Sequence, residues 1–389
     1  MMRRIGMDID NRALVVEFCD GRVVTKPAEN GFPKFDTKIS RFVYDLEAHE
    51  LELRLLDQDV TIEVGSSAAD TELLAHRPIV YLDQLHWITL ARQLWAPAKV
   101  PEPLRAAAKE LVELARSKKV VLPLSAAHYV ETARTDGRYR RHLAGTMLDL
   151  SRGWQMRNPV RVRHLELKAS LEGCDPVVPG VFTLNPHETF VKDLRKMKGP
   201  PDAPQALQEA FPRLVTFSAI YDMMVEDEKA SSEDAKERAT AWAASHQKLA
   251  YYLRSAGADR QQRHLAARAR VLADLSREVA VAAKSAGVDP LAFDAWLSKS
   301  EHDELGVMPY LGRLEEVTFH RLSNADDRWE PNDLHDMHFL SCAAGYADIV
   351  VGENQTTDYL RRAERSLPPR AYTCATLPQA VAQLHTRGI

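Results

Sequence analysis

Over residues 1–66 apolar and polar positions alternate with the period of two that a half-buried strand requires. The run from Arg12 to Thr25 predicts a hairpin turned at Asp20-Gly21. Phe42 to Glu47 and Leu51 to Val64 predict further strands, and Pro27, Gly31 and Pro33 interrupt the series. Gly65 to Asp70 reads as a linker, so residues 1–70 are expected to form an N-terminal β-rich domain.

From residue 76 the pattern changes to short apolar runs separated by helical periodicity. Ile79 to Leu82 and Val120 to Leu124 read as buried strands, with helices over Trp87–Leu94 and Pro101–Ser117 between them. Ser125 is placed to cap a long helix from Ala126 to about Ser151. Residues 156–304 break the alternation. Their first part, Asn158 to Pro201, is irregular and proline-rich. Three long helices follow, over 204–226, 232–255 and 259–286, the first interrupted at Pro212, with a shorter one over 290–298. Leu207, Phe211 and Leu214 share one face of the first. After Met308 the alternation resumes: helices over 311–322, 332–345, 357–365 and 377–385, with strands over 348–351 and 371–376. Strands alternating with helices imply a parallel sheet. Joined, 76–155 and 305–389 amount to about 165 residues, the size of one ordinary domain. The expectation is therefore an α/β domain in two parts, with the helical segment inserted between them.

Composition adds boundaries. The chain of 389 residues is 45% hydrophobic and 27% charged, as in a water-exposed globular protein, and no run of about 18 apolar residues suggests a membrane span. Met1 to Asp10 lacks the apolar stretch of a secretory leader. Cys19, Cys174, Cys342 and Cys374 are scattered, which argues against a disulfide framework or zinc knuckle and for a reduced cytoplasm. The net charge of −4 does not advertise nucleic-acid binding, but the cations are clustered. Arg134, Arg138, Arg140 and Arg141 form one group. Arg152, Arg157, Arg161, Arg163 and Lys168 follow, then Lys192, Arg195, Lys196 and Lys198. Such groups form either phosphate-binding faces or plain solvated ones.

The candidate chemistry lies in the acids. Asp83 ends the first strand of the α/β part, and Glu131 lies two turns into the helix after the second. Asp333 and Asp336 share a face of the helix that Asn332 can cap, and Glu353 follows the strand 348–351 as Asp83 follows its own. Asp348, at the other end of that strand, reads as structural. Each acid has an ordinary explanation: Asp83 as a helix cap, Glu131 as a surface residue, Asp333 and Asp336 as first-turn acids favouring the helix dipole. Together they form a set that would repel unless a divalent cation neutralised it, which points to Mg²⁺- or Mn²⁺-dependent hydrolysis of phosphodiesters. His335 and His338 add a weaker zinc or iron alternative.

The segments Tyr-Leu-Asp83-Gln-Leu-His-Trp-Ile, Leu-Ser-Ala-Ala-His-Tyr-Val-Glu131-Thr, Asn332-Asp-Leu-His-Asp-Met-His-Phe-Leu-Ser and Tyr-Ala-Asp348-Ile-Val-Val-Gly-Glu353-Asn together resemble the PIN-like nuclease superfamily. The resemblance covers the two α/β parts alone. It departs from the usual pattern in ending on Glu353 rather than an aspartate, and in offering both Asp333 and Asp336 for the third acid. It implies a three-layer α/β/α domain and a metal-dependent endonuclease acting on RNA, less often on DNA, with toxin or phage-defence roles among its members. Asp83, Glu131, Asp333 or Asp336, and Glu353 would hold the ion. Gln84, His86, Arg134, Arg138, Arg141 and Asn354 are candidate substrate contacts. The alternative is a catalytically idle PIN-like fold that binds nucleic acid or protein, with the β segment or the insertion meeting a protein partner. A symmetric dimer is the ordinary expectation for an oligomer.

Overall fold

The computed structural model describes residues 1–27, 38–64, 72, 74, 76–190, 205–226, 233–298 and 303–389. The expected linker 65–70, the break at Gly31 and Pro33, the third basic group (192–198) and the side chain of Leu207 lie outside the described residues. The protein is mixed α/β and divides into two compact units, 1–157 with 182–228 and 158–181 with 229–388. These limits differ from the four segments read along the sequence.

The first unit opens with a six-stranded antiparallel sheet, β1 (Met2–Asp8), β2 (Ala13–Phe18), β3 (Val23–Pro27), β4 (Arg41–Asp45), β5 (Glu50–Arg54) and β6 (Asp59–Glu63), in the order β3-β2-β1-β4-β5-β6. The expected hairpin forms. Gly21 turns it at φ 82°, and the Asp20 carboxylate accepts the Arg22 amide at 3.1 Å. Alternation sorts β5 as expected, with Leu51 and Leu53 buried and Glu52 and Arg54 exposed. Gly6 is required where β1 meets β4, because a Cβ there would run into the Phe42 carbonyl oxygen.

The last residue of β6 joins this sheet to the α/β part. Glu63, 6% exposed, accepts two hydrogen bonds from Arg77 (3.0 and 2.9 Å), one from Arg152 Nε (3.2 Å) and one from Trp154 Nε1 (3.4 Å). Its amide also donates to the Arg152 carbonyl at 2.8 Å. Burial alone would raise the carboxyl pKa, but the Arg77 hydrogen bonds and the charges of Arg77, Arg152 and Lys118 hold it below its ordinary value.

β7 (Val80–Leu82) is fully buried, and its first amide, that of Val80, donates to the Val121 carbonyl at 2.8 Å. The expected strand 120–124 shrinks to two parallel bridges, Ile79 to Val121 and Leu124 to Gln155, because Pro123 has no N–H with which to continue a ladder. Helices Gln84–Trp95 and Glu102–Arg116 stand near their expected places. The helix expected over 126–151 is two, Ala126–Ala133 and Gly137–Ser151. Asp136 is extended and Gly137 takes φ 40°, so the chain turns between them. A two-stranded ribbon follows, β8 (Gln155–Met156) with β9 (Phe182–Thr183). Helix Gln205–Val225 runs through Pro212 rather than stopping there, at the cost of one ladder bond, and buries Phe211, Leu214, Phe217 and Tyr221.

The second unit is built around helix Pro309–Ser323, which is buried along nearly its whole length. Gly312 and Gly345 allow the close packing: a Cβ would stand 2.8 Å from the Leu305 carbonyl oxygen in the first case and 2.8 Å from that of Pro309 in the second. Glu166, from helix Pro159–Leu171, caps the buried N-terminus of this helix. It accepts the amides of Tyr310 (2.7 Å) and Leu311 (3.0 Å) and the Tyr346 hydroxyl (2.7 Å). Burial pushes this carboxyl up to about 7 against those bonds. β10 (Ile349–Val351) and β11 (Tyr372–Cys374) pair in parallel, as alternation with helices implied, and both are followed by helices, Asn354–Ala363 and Leu377–Thr386. The expected helix 259–286 divides at Leu275 into Arg260–Asp274 and Ser276–Ala286. Among the described residues no helix is long and apolar enough to cross a membrane.

Replacing Glu63 with glutamine leaves two arginines at this junction without their shared charge. It is expected to cost about 3–5 kcal/mol, read as a lower urea midpoint with an unchanged slope. Because the carboxyl pKa is lowered on folding, its contribution is complete at neutral pH and drains away as pH falls through the folded value.

Candidate functional site

In the first unit the strand-end acid and the helical acid stand on neighbouring elements. Asp83 caps helix Gln84–Trp95, its Oδ1 accepting the Gln84 amide at 2.8 Å. The next side chain, Gln84, is buried, and its Nε2 donates to Thr132 Oγ1 at 3.1 Å. Thr132 directly follows Glu131 in helix Ala126–Ala133. A second tie lies one turn earlier. His128 Nδ1 accepts the Ser125 amide at 3.0 Å, so Nε2 carries the proton and donates to the Leu82 carbonyl at 2.8 Å. The residues flanking Asp83 on both sides are thus bonded to the helix that bears Glu131. Both acids are half-buried. Burial lowers the His128 pKa to about 4, keeping the ring neutral.

The remaining expected acids belong to the second unit. Asp333 is already engaged: Oδ2 accepts Arg321 Nη2 at 2.7 Å and the Glu330 amide at 2.6 Å, while the Arg321 guanidinium lies 4.3 Å from the Trp329 ring centre. Asn332 makes no side-chain cap, contrary to expectation, because Asp333 itself binds the entering backbone. Asp336 is half-buried one turn on. Glu353 occupies the N-cap position of helix Asn354–Ala363, yet its exposed side chain makes no capping bond, and Asn354 is exposed beside it. Asp348 is paired with Arg387 Nη1 at 2.5 Å. His338 is bonded to the Tyr310 hydroxyl at 2.5 Å, and burial keeps it neutral, with a pKa of about 3. Among the described residues no group of three or more His, Cys, Asp or Glu side chains is placed to hold a metal ion.

The basic groups divide sharply. Arg140 is buried and donates to the carbonyls of Thr135 (2.8 Å) and Glu226 (2.7 Å), so it is structural. Arg152, Arg157, Arg163 and Lys168 are all in ion pairs, with Glu63, Glu188, Glu278 and Glu172 respectively. The second basic group is therefore no free face. Arg134, Arg138 and Arg141 are exposed. His86 is buried, which removes it from direct contact with a long substrate.

Arg138 opens onto a feature absent from the sequence reading. A cleft of ≈ 430 Å³ lies between helices Gln84–Trp95 and Gly137–Ser151, lined by Arg92, Lys99, Arg138, Trp95, Tyr139 and His142 over a floor including Ile88, Ala91 and Leu143. Trp95 stacks on His142 at 4.2 Å between ring centres, and Lys99 Nζ donates to the Tyr139 hydroxyl at 2.8 Å. Ile88, Ala91, Arg92 and Trp95 recur at i, i+3, i+4 and i+7, the spacing of one helix face, and that spacing is the signal of it in the sequence.

Comparison with protein-family models, with curated proteins and with solved structures finds no match to this chain.

Two outcomes follow from this geometry. Asp333→Asn is expected to cost about 1–3 kcal/mol, read as a lower denaturation midpoint, by leaving Arg321 without its carboxylate partner. Below pH 6.5 the unfolded chain takes up a proton at position 128 that the folded protein refuses. His128 should therefore make stability fall by about 1.4 kcal/mol per pH unit towards pH 4, a slope that His128→Gln should remove.

Proposed function

We propose that this protein is a metal-dependent nuclease of the PIN-like kind, hydrolysing phosphodiester bonds of RNA. The observation that carries the reading is the pair of ties, Gln84 to Thr132 and Leu82 to His128, which hold the elements bearing Asp83 and Glu131 side by side. The donor chemistry suits Mg²⁺ or Mn²⁺. Magnesium commonly takes only one or two protein carboxylates and completes its shell with water and substrate phosphate, so a cage of three acids is not a requirement. Asp83 and Glu131, both in the first unit, would be the protein's ligands. A bound ion would supply an activated water and shield the charge on the cleaved phosphate. Arg138, with Arg134 and Arg141 on the same stretch of chain, would bind phosphates of the strand.

The binding-module reading is favoured by one observation, the lack of a three-ligand group among the described residues. The two readings separate in a single assay. With Mn²⁺, the purified chain should cut single-stranded RNA, EDTA should stop it, and Asp83→Asn and Glu131→Gln should each lower the rate by at least about a hundredfold with the thermal midpoint retained. Binding without cutting by the unaltered protein, or equal cutting by both variants, rejects the nuclease assignment.

A further inference from the structure

We propose that the cleft between helices Gln84–Trp95 and Gly137–Ser151 holds one nucleotide of a single RNA strand, with its base on Trp95 and its phosphates on Arg92, Lys99 and Arg138. The choice of RNA over another aromatic anion rests on the nuclease reading above; the anionic and aromatic character of the ligand does not.

The cleft itself supplies the rest. Its ≈ 430 Å³ falls within the range of small-ligand pockets. Three cations line it and no acid does. Neither Arg92 nor Arg138 is paired with a carboxylate among the described residues, and both are exposed, so their charge is available to a ligand. Lys99 is oriented by the Tyr139 hydroxyl, a neutral partner that leaves its charge intact. A bare anion would need no more than these. Trp95 adds a different requirement. It is 44% exposed, stacks on His142, which also lines the cleft, and is held by its own Nε1 donating to Thr146 Oγ1 at 3.3 Å. A held, half-exposed indole beside an imidazole is a stacking surface, and every base has a face to lay on such rings. Apolar ligands would gain nothing from three cations, and a base buried in a duplex cannot reach the ring. A single-stranded nucleotide satisfies both the charge and the aromatic surface.

The test is fluorescence anisotropy of a labelled oligouridylate with the full chain in EDTA, so that no cutting intervenes. Trp95→Leu should weaken binding by about tenfold, and Trp95→Phe, which keeps an aromatic face, by no more than about threefold. Arg92→Ala and Arg138→Ala should each reduce the slope of log affinity against log salt by about 0.7, while Lys119→Ala, on the surface away from the cleft, should leave affinity within about twofold. Inorganic polyphosphate, which has no bases, should compete equally well on the Trp95→Leu variant and on the unaltered protein. Unchanged affinity in Trp95→Leu, or an unchanged salt slope in both arginine variants, overturns the proposal. So does an equal loss of polyphosphate and oligouridylate on Trp95→Leu. If the chain cuts RNA while the cleft variants bind normally, the cleft assignment fails and the nuclease stands. If the cleft variants lose binding and nothing is cut with Mn²⁺, the nuclease fails and the cleft stands.

Discussion

One buried carboxylate determines where the α/β part of the first unit begins and how it turns. Glu63 takes Arg77 and Arg152 at once. Arg77 lies three residues before the strand that delivers Asp83, and Arg152 holds a left-handed backbone (φ 50°) where helix Gly137–Ser151 ends and the chain turns towards Trp154. The Arg77 guanidinium also lies 5.3 Å from the Trp154 ring centre. A charge with two buried counter-charges tolerates little displacement, since separating any partner strands the others in a poorly solvated place. The register of the antiparallel sheet is thereby transmitted to the strand end that carries the proposed chemistry.

The second constraint is a break rather than a bond. Arg138 and Arg140 both follow it, in helix Gly137–Ser151, two residues and therefore roughly half a turn apart. The turn at Asp136 and Gly137 starts the second helix afresh. It sends Arg140 inward to the Glu226 carbonyl and leaves Arg138 and Tyr139 facing the end of helix Gln84–Trp95. Two arginines separated by one residue thus acquire opposite roles, one holding backbone and one lining a cleft.

Much of this was legible. The Asp-Gly hairpin, the parallel pair β10 and β11, and most helices follow from turn chemistry and periodicity, which act over a few residues. The misreadings share a cause: they depend on partners far away in sequence. The Pro123 segment looked like a strand because its side chains are apolar, and only the missing amide limits its pairing. The basic group at 152–168 looked like a free face because Glu63, Glu188 and Glu278 lie well outside any window that would reveal them as its partners. Among the acids, local reasoning correctly saw Asp83 as a cap and could not see that Arg321 claims Asp333. The cleft escaped because it needs two helices, each carrying half of it.

The cap on helix Pro309–Ser323 has a consequence for how the second unit comes into being. The acceptor for its first amides sits on Glu166, 144 residues earlier, and the same carboxylate takes the Tyr346 hydroxyl 180 residues away. The most buried helix of the unit is therefore completed only by a loop closure spanning the intervening chain. Such closures cost entropy before they return any contact, and they slow folding. A fragment beginning after residue 181 would keep the other helices around Pro309–Ser323 but lose helix Pro159–Leu171, leaving the Tyr310 and Leu311 amides buried without their acceptor. The second unit is thus contiguous in space yet cannot be excised as a contiguous piece of sequence.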